Sequence, residues 1–346
     1  PSGLGQAPWV LVVSSIGVLM VALAYAGGRD QAATWPIVLY WAAQVVVFAP
    51  VVLRLLSQRL AGGAEAFVLV IGLAIAQYLQ KWMYSPDQFR FPDELQHWTA
   101  TSIINETGEL FQQNLALPPA VHFPGLAEMG ASVSQLTGLS VTASGLLVAG
   151  ILRLVFVGAF FAVVLRSSRS PAIAGVACVI YATALHYLFF NAMYLYGAAA
   201  LPFLMVTVWA ARRWWSGGDW QFALIAVVAI AMTTVSHHVT AFVLVMTLFL
   251  LAATEFFTKK PRPWRALVLP FVSLGMVVGW IAFVARDVVA YLEAPFEQVA
   301  TTVETLLSGQ SESSTPVSTA VPIWQLGLQG IGLLCLFALY LAVGRD

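Results

Sequence analysis

Residues 64–83 read AEAFVLVIGLAIAQYLQKWM, and a few positions on, residues 91–98 read FPDELQHW. The first stretch has the length, about 20 residues, that an α-helix needs to cross roughly 30 Å of hydrocarbon. The second sets two adjacent carboxylates, Asp93 and Glu94, and an imidazole, His97, in polar sequence just past the end of that span. Paired acids beside a membrane surface cost solvation free energy unless a cation, a hydroxyl or a proton-transfer task compensates them. The pair of stretches therefore reads as a membrane chain carrying chemistry at its surface.

Composition extends this reading to the whole chain. Of 346 residues, 60% are hydrophobic and only 9% charged, and the mean hydropathy is +0.84, values that exclude a soluble domain of this length. A net charge of zero leaves no basic footprint for nucleic acid. Cys178 and Cys335 both lie in apolar runs and read as packing residues rather than a disulfide or a metal pair. The chain starts at Pro1 without an initiator methionine and ends at Asp346 straight after an apolar run, so it reads as processed or shortened.

Apolar runs suited to spanning fall at residues 9–26, 35–53, 64–83, 139–165, 171–190, 192–211, 220–236, 239–257, 266–285 and 322–343. A lipid-facing segment must satisfy its own backbone hydrogen bonds, and none of these runs alternates as a barrel strand does. The predicted fold class is all-α: a polytopic membrane helix bundle of about ten transmembrane helices with a large helical extracytoplasmic first loop. No internal repeat is evident, which disfavours an inverted-repeat transporter. Residues 1–63 form two N-terminal spans, 64–287 a core that includes an external acidic loop at 85–138, 288–321 an external amphipathic helix and flexible link, and 322–346 the last span.

Charge placement orients the bundle. Arg54, Arg59, Arg166, Arg169, Arg212, Arg213, Lys259, Lys260, Arg262, Arg265 and Arg345 fall at alternate span ends, which marks that side as cytoplasmic. The opposite side gathers most of the acids and all five histidines, so an extracytoplasmic site in a bacterial plasma membrane is expected.

Within the loop, Pro92 opens a predicted helix that runs to Thr107 and ends at Gly108, the residue most tolerant of a left-handed cap. Asp93, Glu94 and His97 then lie within one turn of each other. Two readings of Asp93 stay open: an Asp-x-x-Gln capping box with Gln96, or a working carboxylate, favoured because no cap requires Glu94 as well. The prolines at 118, 119 and 124 break regular structure and can return His122 and Glu128 toward the acids. His237 and His238, in Ser-His-His-Val-Thr at 236–240, are either a polar helix turn or a pair of imidazoles that hold a phosphate. Arg286 and Arg90 are the charged alternatives for that phosphate, and Lys81 reads as snorkelling to the interface. Arg153 lies inside a span, where a charge is either functional or structurally paired. His186 reads as making a local hydrogen bond.

These motifs, in this order, resemble the GT-C superfamily of membrane glycosyltransferases, of the protein mannosyltransferase and aminoarabinose transferase kind, which take sugars from polyprenyl-phosphate donors. Pro92-Asp93-Glu94 with His97 resembles the acidic motif of that superfamily's first large external loop. Glu106-Thr107-Gly108-Glu109-Leu110-Phe111 resembles the segment after it, and Pro118-Pro119 to Phe123-Pro124 its proline-aromatic element. With the Arg166–Arg169 turn and the region from Tyr181 to Pro202, the likeness covers residues 64 to 260. Two spans precede the acidic loop here, where members of the superfamily usually have one.

The resemblance implies that Asp93 is the general base that deprotonates an acceptor hydroxyl, with Glu94 orienting the acceptor or assisting. It implies a polyprenyl-phosphate-linked sugar as donor and a glycan, lipid or protein as acceptor, in contact with membrane lipids. His237, His238, Arg286 and Arg90 would bind the donor phosphate, and His97, His122 and Glu128 would line the acceptor side or support the loop. Two acids without a third ligand make a weak site for a divalent metal at Asp93 and Glu94, so no metal or other cofactor is expected. Rival readings are a multi-span transporter or lipid flippase, and a ligase or polymerase of lipid-linked glycans.

Past the ninth run, Val289, Leu292, Phe296, Val299, Val303 and Leu306 recur at helical spacing with Glu293, Glu297 and Glu304 on another face. This predicts an amphipathic helix that, with the Ser- and Thr-rich link at 309–319, can act as a lid over the loop.

Overall fold

In a computed structural model of the chain, residues 3–29, 34–115, 117–257 and 264–289 are described, and they form helices with no strand among them. In chain order these are α1 (Ala7–Gly27), α2 (Trp35–Leu55), α3 (Gly63–Tyr84), α4 (Pro92–Thr107), α5 (Gly125–Thr137), α6 (Val141–Ser168), α7 (Pro171–Ala182), α8 (Leu185–Leu188), α9 (Tyr196–Trp215), α10 (Trp220–Ser236), α11 (His238–Phe257) and α12 (Trp264–Phe283). All of them belong to one compact unit that ends at Ala285, and a second unit starts at Arg286.

Six helices among the described residues are long and apolar enough to cross a membrane: α1, α2, α3, α6, α11 over His238–Glu255, and α12. Three other expected runs do not meet that measure as single straight helices. The run at 171–190 is bent by 78° where α7 ends, α10 has only 17 residues, and α9 carries Arg212 and Arg213 in its last turn. Counting the bent pair as one span brings the number to seven. The amphipathic helix at 289–306, the link and the span at 322–343, together with Cys335, lie outside the described residues, as do all but the first two residues of 288–346.

Helix ends follow local chemistry. Pro92 and Pro171 stand in the first turns of their helices, where a missing N–H costs nothing, and the Ser140 and Ser170 side chains cap α6 and α7 by accepting from Ala143 and Ile173. Gly108 and Gly138 close α4 and α5 in the left-handed conformation. Asp93 makes no cap: Phe91 occupies the cap position without a side-chain bond, so the capping-box reading of Asp93 and Gln96 is not what forms.

Among the described residues the core holds four apolar clusters, the smallest joining Ile104 of α4 to Ala127 and Ala131 of α5. One, which includes buried Cys178, joins α2, α3, α6 and α7; a second joins α9 to α12; a third, under the loop, joins Tyr78, Leu126, Leu146 and Tyr194. The N-terminal pair is held by close approach: a Cβ on Gly17 would stand 2.9 Å from the Ala43 carbonyl oxygen, and Ser14 donates to the Val47 carbonyl at 3.1 Å. At the arginine-bearing ends of the helices, Arg54 pairs with Glu65 at 2.7 Å, and Glu65 also accepts from the backbone of Gln6 and Ala61.

The other end of the bundle is organised by a second buried pair. Lys81, at the end of α3, does not snorkel: its ammonium lies 2.9 Å from the fully buried Glu94 carboxylate of α4. Glu94 also accepts from the Tyr194 backbone N–H at 3.2 Å. The buried Tyr194 hydroxyl meets Thr101 at 2.8 Å and donates to the Leu126 carbonyl at 3.2 Å, so α3, α4, α5 and the approach to α9 are tied together. Removing one partner of a buried pair strands the other charge and costs about 3–5 kcal/mol, whereas replacing both by apolar residues of similar volume costs much less. Lys81→Ala is therefore expected to lower the thermal unfolding midpoint in detergent sharply, and Lys81→Met with Glu94→Leu to recover most of it; a Lys81→Ala protein as stable as wild type would contradict this.

Candidate functional site

The start of α4, the α8 turn, the start of α9 and the α10–α11 break enclose a cavity of about 430 Å³. Asp93, Gln96 and His97 enter from α4, His186 and Phe190 from the turn, Tyr196 and Gly197 from α9, and His237 and Thr240 from the break. Asp93 and His97 are four apart on a helix and so share a face. Glu94, one position on, faces Lys81 and does not line the cavity.

The imidazoles are ordered by aromatic contacts. The Tyr196 ring lies between His97, at 4.5 Å between centroids, and His237, at 4.3 Å and edge-on. His237 Nδ1 and Thr240 Oγ1 are 2.7 Å apart. A helix break puts His237 here: it caps α10 in an extended conformation, and α11 starts at the next residue. Gly197 makes room for its ring, since a Cβ there would stand 3.3 Å from His237 Cε1.

Burial decides the protonation of these rings. It pushes His97 down to about 4, and with His238 and His97 nearby it pushes His237 down to about 3. Both are neutral at pH 7, each able to donate one hydrogen bond and accept another. Among the described residues, Asp93 is the only carboxylate lining the cavity, and no lysine or arginine lines it.

Of the other residues expected at the site, His238, His122, Glu128 and Arg90 do not line the cavity. His238 is buried behind the break and packs on Phe123, with ring centroids 5.2 Å apart. His122 ends the short 3₁₀ turn Pro118–His122, where its carbonyl accepts from Trp280 Nε1 at 3.0 Å. Glu128 is exposed on α5 and accepts from Ser132 at 3.2 Å. Arg90 is exposed and lies over the Tyr84 ring. Arg286 opens the second unit, and its reading as a phosphate ligand rests on its place in the sequence. His186 lines the cavity and stacks on Phe190.

Tyr196, Gly197 and Thr240 join the site without having been named as site residues in the sequence, and Gln96, read there only as a capping partner of Asp93, joins them. Thr240 carried a signal in its spacing of three from His237; Tyr196 and Gly197, at an ordinary helix start, carried none. Among the described residues no three His, Cys, Asp or Glu side chains converge as a metal would require, and Asp93 and Glu94 face different partners. No family model matches the chain, nor does any curated protein or solved structure.

The buried neutral His97 makes stability depend on pH with a definite sign. Its folded value lies below the roughly 6.5 of an unfolded histidine, so the unfolded chain binds the proton first as pH falls. Stability at His97 is thus full above about pH 6.5 and is lost toward pH 4, by roughly 1.4 kcal/mol per pH unit. His97→Gln is expected to flatten the acid side of a plot of unfolding midpoint against pH; an unchanged slope would show that His97 is not buried neutral.

Proposed function

We propose that the chain is a membrane glycosyltransferase that moves a sugar from a polyprenyl-phosphate donor to an acceptor hydroxyl, with Asp93 as the general base. The observation that carries the proposal is the cavity in which Asp93 meets His97, His186 and His237. Attack on an anomeric carbon needs a hydroxyl relieved of its proton as an oxocarbenium-like state forms, and a carboxylate at hydrogen-bond distance supplies this. The sequence motifs around Asp93, in the order in which the GT-C superfamily carries them, support the same reading.

The leaving phosphate is received by neutral imidazoles. His237 and His97 can each donate a hydrogen bond to a phosphate oxygen, and the arriving anion raises their proton affinity, so that donor binding draws protons into the site. Glu94 acts at one remove, since its ion pair with Lys81 and its bond from Tyr194 hold α4 in place. The arginines at the opposite helix ends support an extracytoplasmic site, and in this reading the membrane is a bacterial plasma membrane. A glycan, lipid or protein is the acceptor in this reading, and no metal takes part.

Release of polyprenyl phosphate from a panel of polyprenyl-phosphate sugars, by purified protein in nanodiscs, tests the proposal. Asp93→Asn is expected to lower turnover by about 10²–10⁴-fold with donor binding retained, the range for loss of a positioned base. His237→Ala is expected to weaken donor binding. If no sugar is released by wild type, or Asp93→Asn reacts as fast, the base assignment fails and transport of an amphiphile takes its place.

A further inference from the structure

A second and larger cavity, about 770 Å³, opens among α1, α2, α3 and α7, and shares no lining residue with the histidine cavity. Its volume is in the range of pockets that bury a small ligand, roughly 300–1,000 Å³. Its wall is mostly apolar and aromatic, and Trp41 and Val45 of α2, which line it, are exposed on the outside of the bundle. Because α2 is long and apolar enough to cross a membrane, these two residues open the cavity toward lipid.

Two cations line the cavity, and only one is neutralised. Lys81 is paired with Glu94. Arg153, from the middle of α6, is 1% exposed, donates from Nη1 to the Tyr187 carbonyl at 2.9 Å, and lies 3.7 Å from the Tyr187 ring centroid. Its Nε has no hydrogen-bond partner and no carboxylate pairs with it among the described residues. A carbonyl and a ring face soften the cost of a buried guanidinium without balancing its charge, and such a charge within the membrane is costly. The missing element is an anion, and the apolar wall open to lipid says what the anion is attached to.

We infer that this cavity binds a membrane amphiphile with a single anionic headgroup, the head at Arg153 and the chain running past Trp41 and Val45 into the bilayer. The inference does not depend on the glycosyltransferase reading, which concerns the other cavity. An unattached anion would forgo the aromatic wall, and a neutral amphiphile would leave Arg153 unbalanced.

Dodecyl phosphate added to the purified full chain in dodecyl maltoside, read by thermal unfolding, tests the inference. The midpoint is expected to rise with dodecyl phosphate, and Arg153→Gln to raise the concentration for half the effect at least tenfold. Val45→Trp, which fills the mouth and leaves Arg153 in place, is expected to act likewise and decides the matter if Arg153→Gln does not fold. Sodium phosphate alone should produce no shift. The inference is overturned if sodium phosphate matches dodecyl phosphate, if Val45→Trp responds as wild type does, or if the response is lost in His237→Ala and kept in Arg153→Gln.

Discussion

Glu94 is a carboxylate withdrawn from water, and its two partners decide how the outer end of the bundle is built. Lys81 brings α3 to it and the Tyr194 amide brings in the segment before α9, so α4 is held by charge and by backbone at one point. The Tyr194 side chain then reaches Thr101 on α4 and the Leu126 carbonyl on α5, and its ring stacks on Phe89 at 5.2 Å. That ring and hydroxyl fit because the neighbours are small: a Cβ on Gly130 would collide with the Tyr194 hydroxyl, and one on Gly145 would crowd its ring. A single buried charge pair thus becomes an anchor for several elements.

Helical geometry turns that anchor into a site. Consecutive residues on a helix are about 100° apart, so once Glu94 is fixed toward Lys81 the rotation of α4 is fixed too. Asp93 and His97, on the next face, are thereby presented to Tyr196 and His237. The geometry separates two adjacent acids into different tasks: one is spent on structure and the other is left at a cavity wall. The same burial that orders His97 and His237 also keeps them neutral, so among the described residues the cavity presents oriented dipoles and one carboxylate rather than a cluster of charges.

Much of this was legible in the sequence wherever the signal was local. Pro92 and Gly108 bound α4 as expected, because proline at a first turn and glycine at a left-handed cap act within a few residues of themselves. The break between α10 and α11 at His237 was visible as polar residues in an otherwise apolar run. Partners distant in sequence were not legible. Nothing near Lys81 says that its charge is met by Glu94, so snorkelling was the cheaper reading, and nothing near Tyr196 says that two imidazoles flank it. His122 and Glu128 were expected to return to the acids because a proline-rich turn can reverse the chain, but prolines do not specify which side chains face inward. Apolarity sets what a segment can cross, while the bend after α7 and the length of α10 depend on packing, which a local reading of the runs does not carry.

The two cavities back onto the same two short segments. Phe91 faces one and Asp93 the other; Leu188 and Phe189 face one, His186 and Phe190 the other. Lys81, which lines the larger cavity, holds the carboxylate that sets the rotation of α4. Whatever fills the larger cavity therefore packs against the reverse side of the elements that shape the histidine site. An anion near Arg153 would also lie in a cavity lined by the Lys81 ammonium, and would compete for it with Glu94 to a degree set by distance and local polarity.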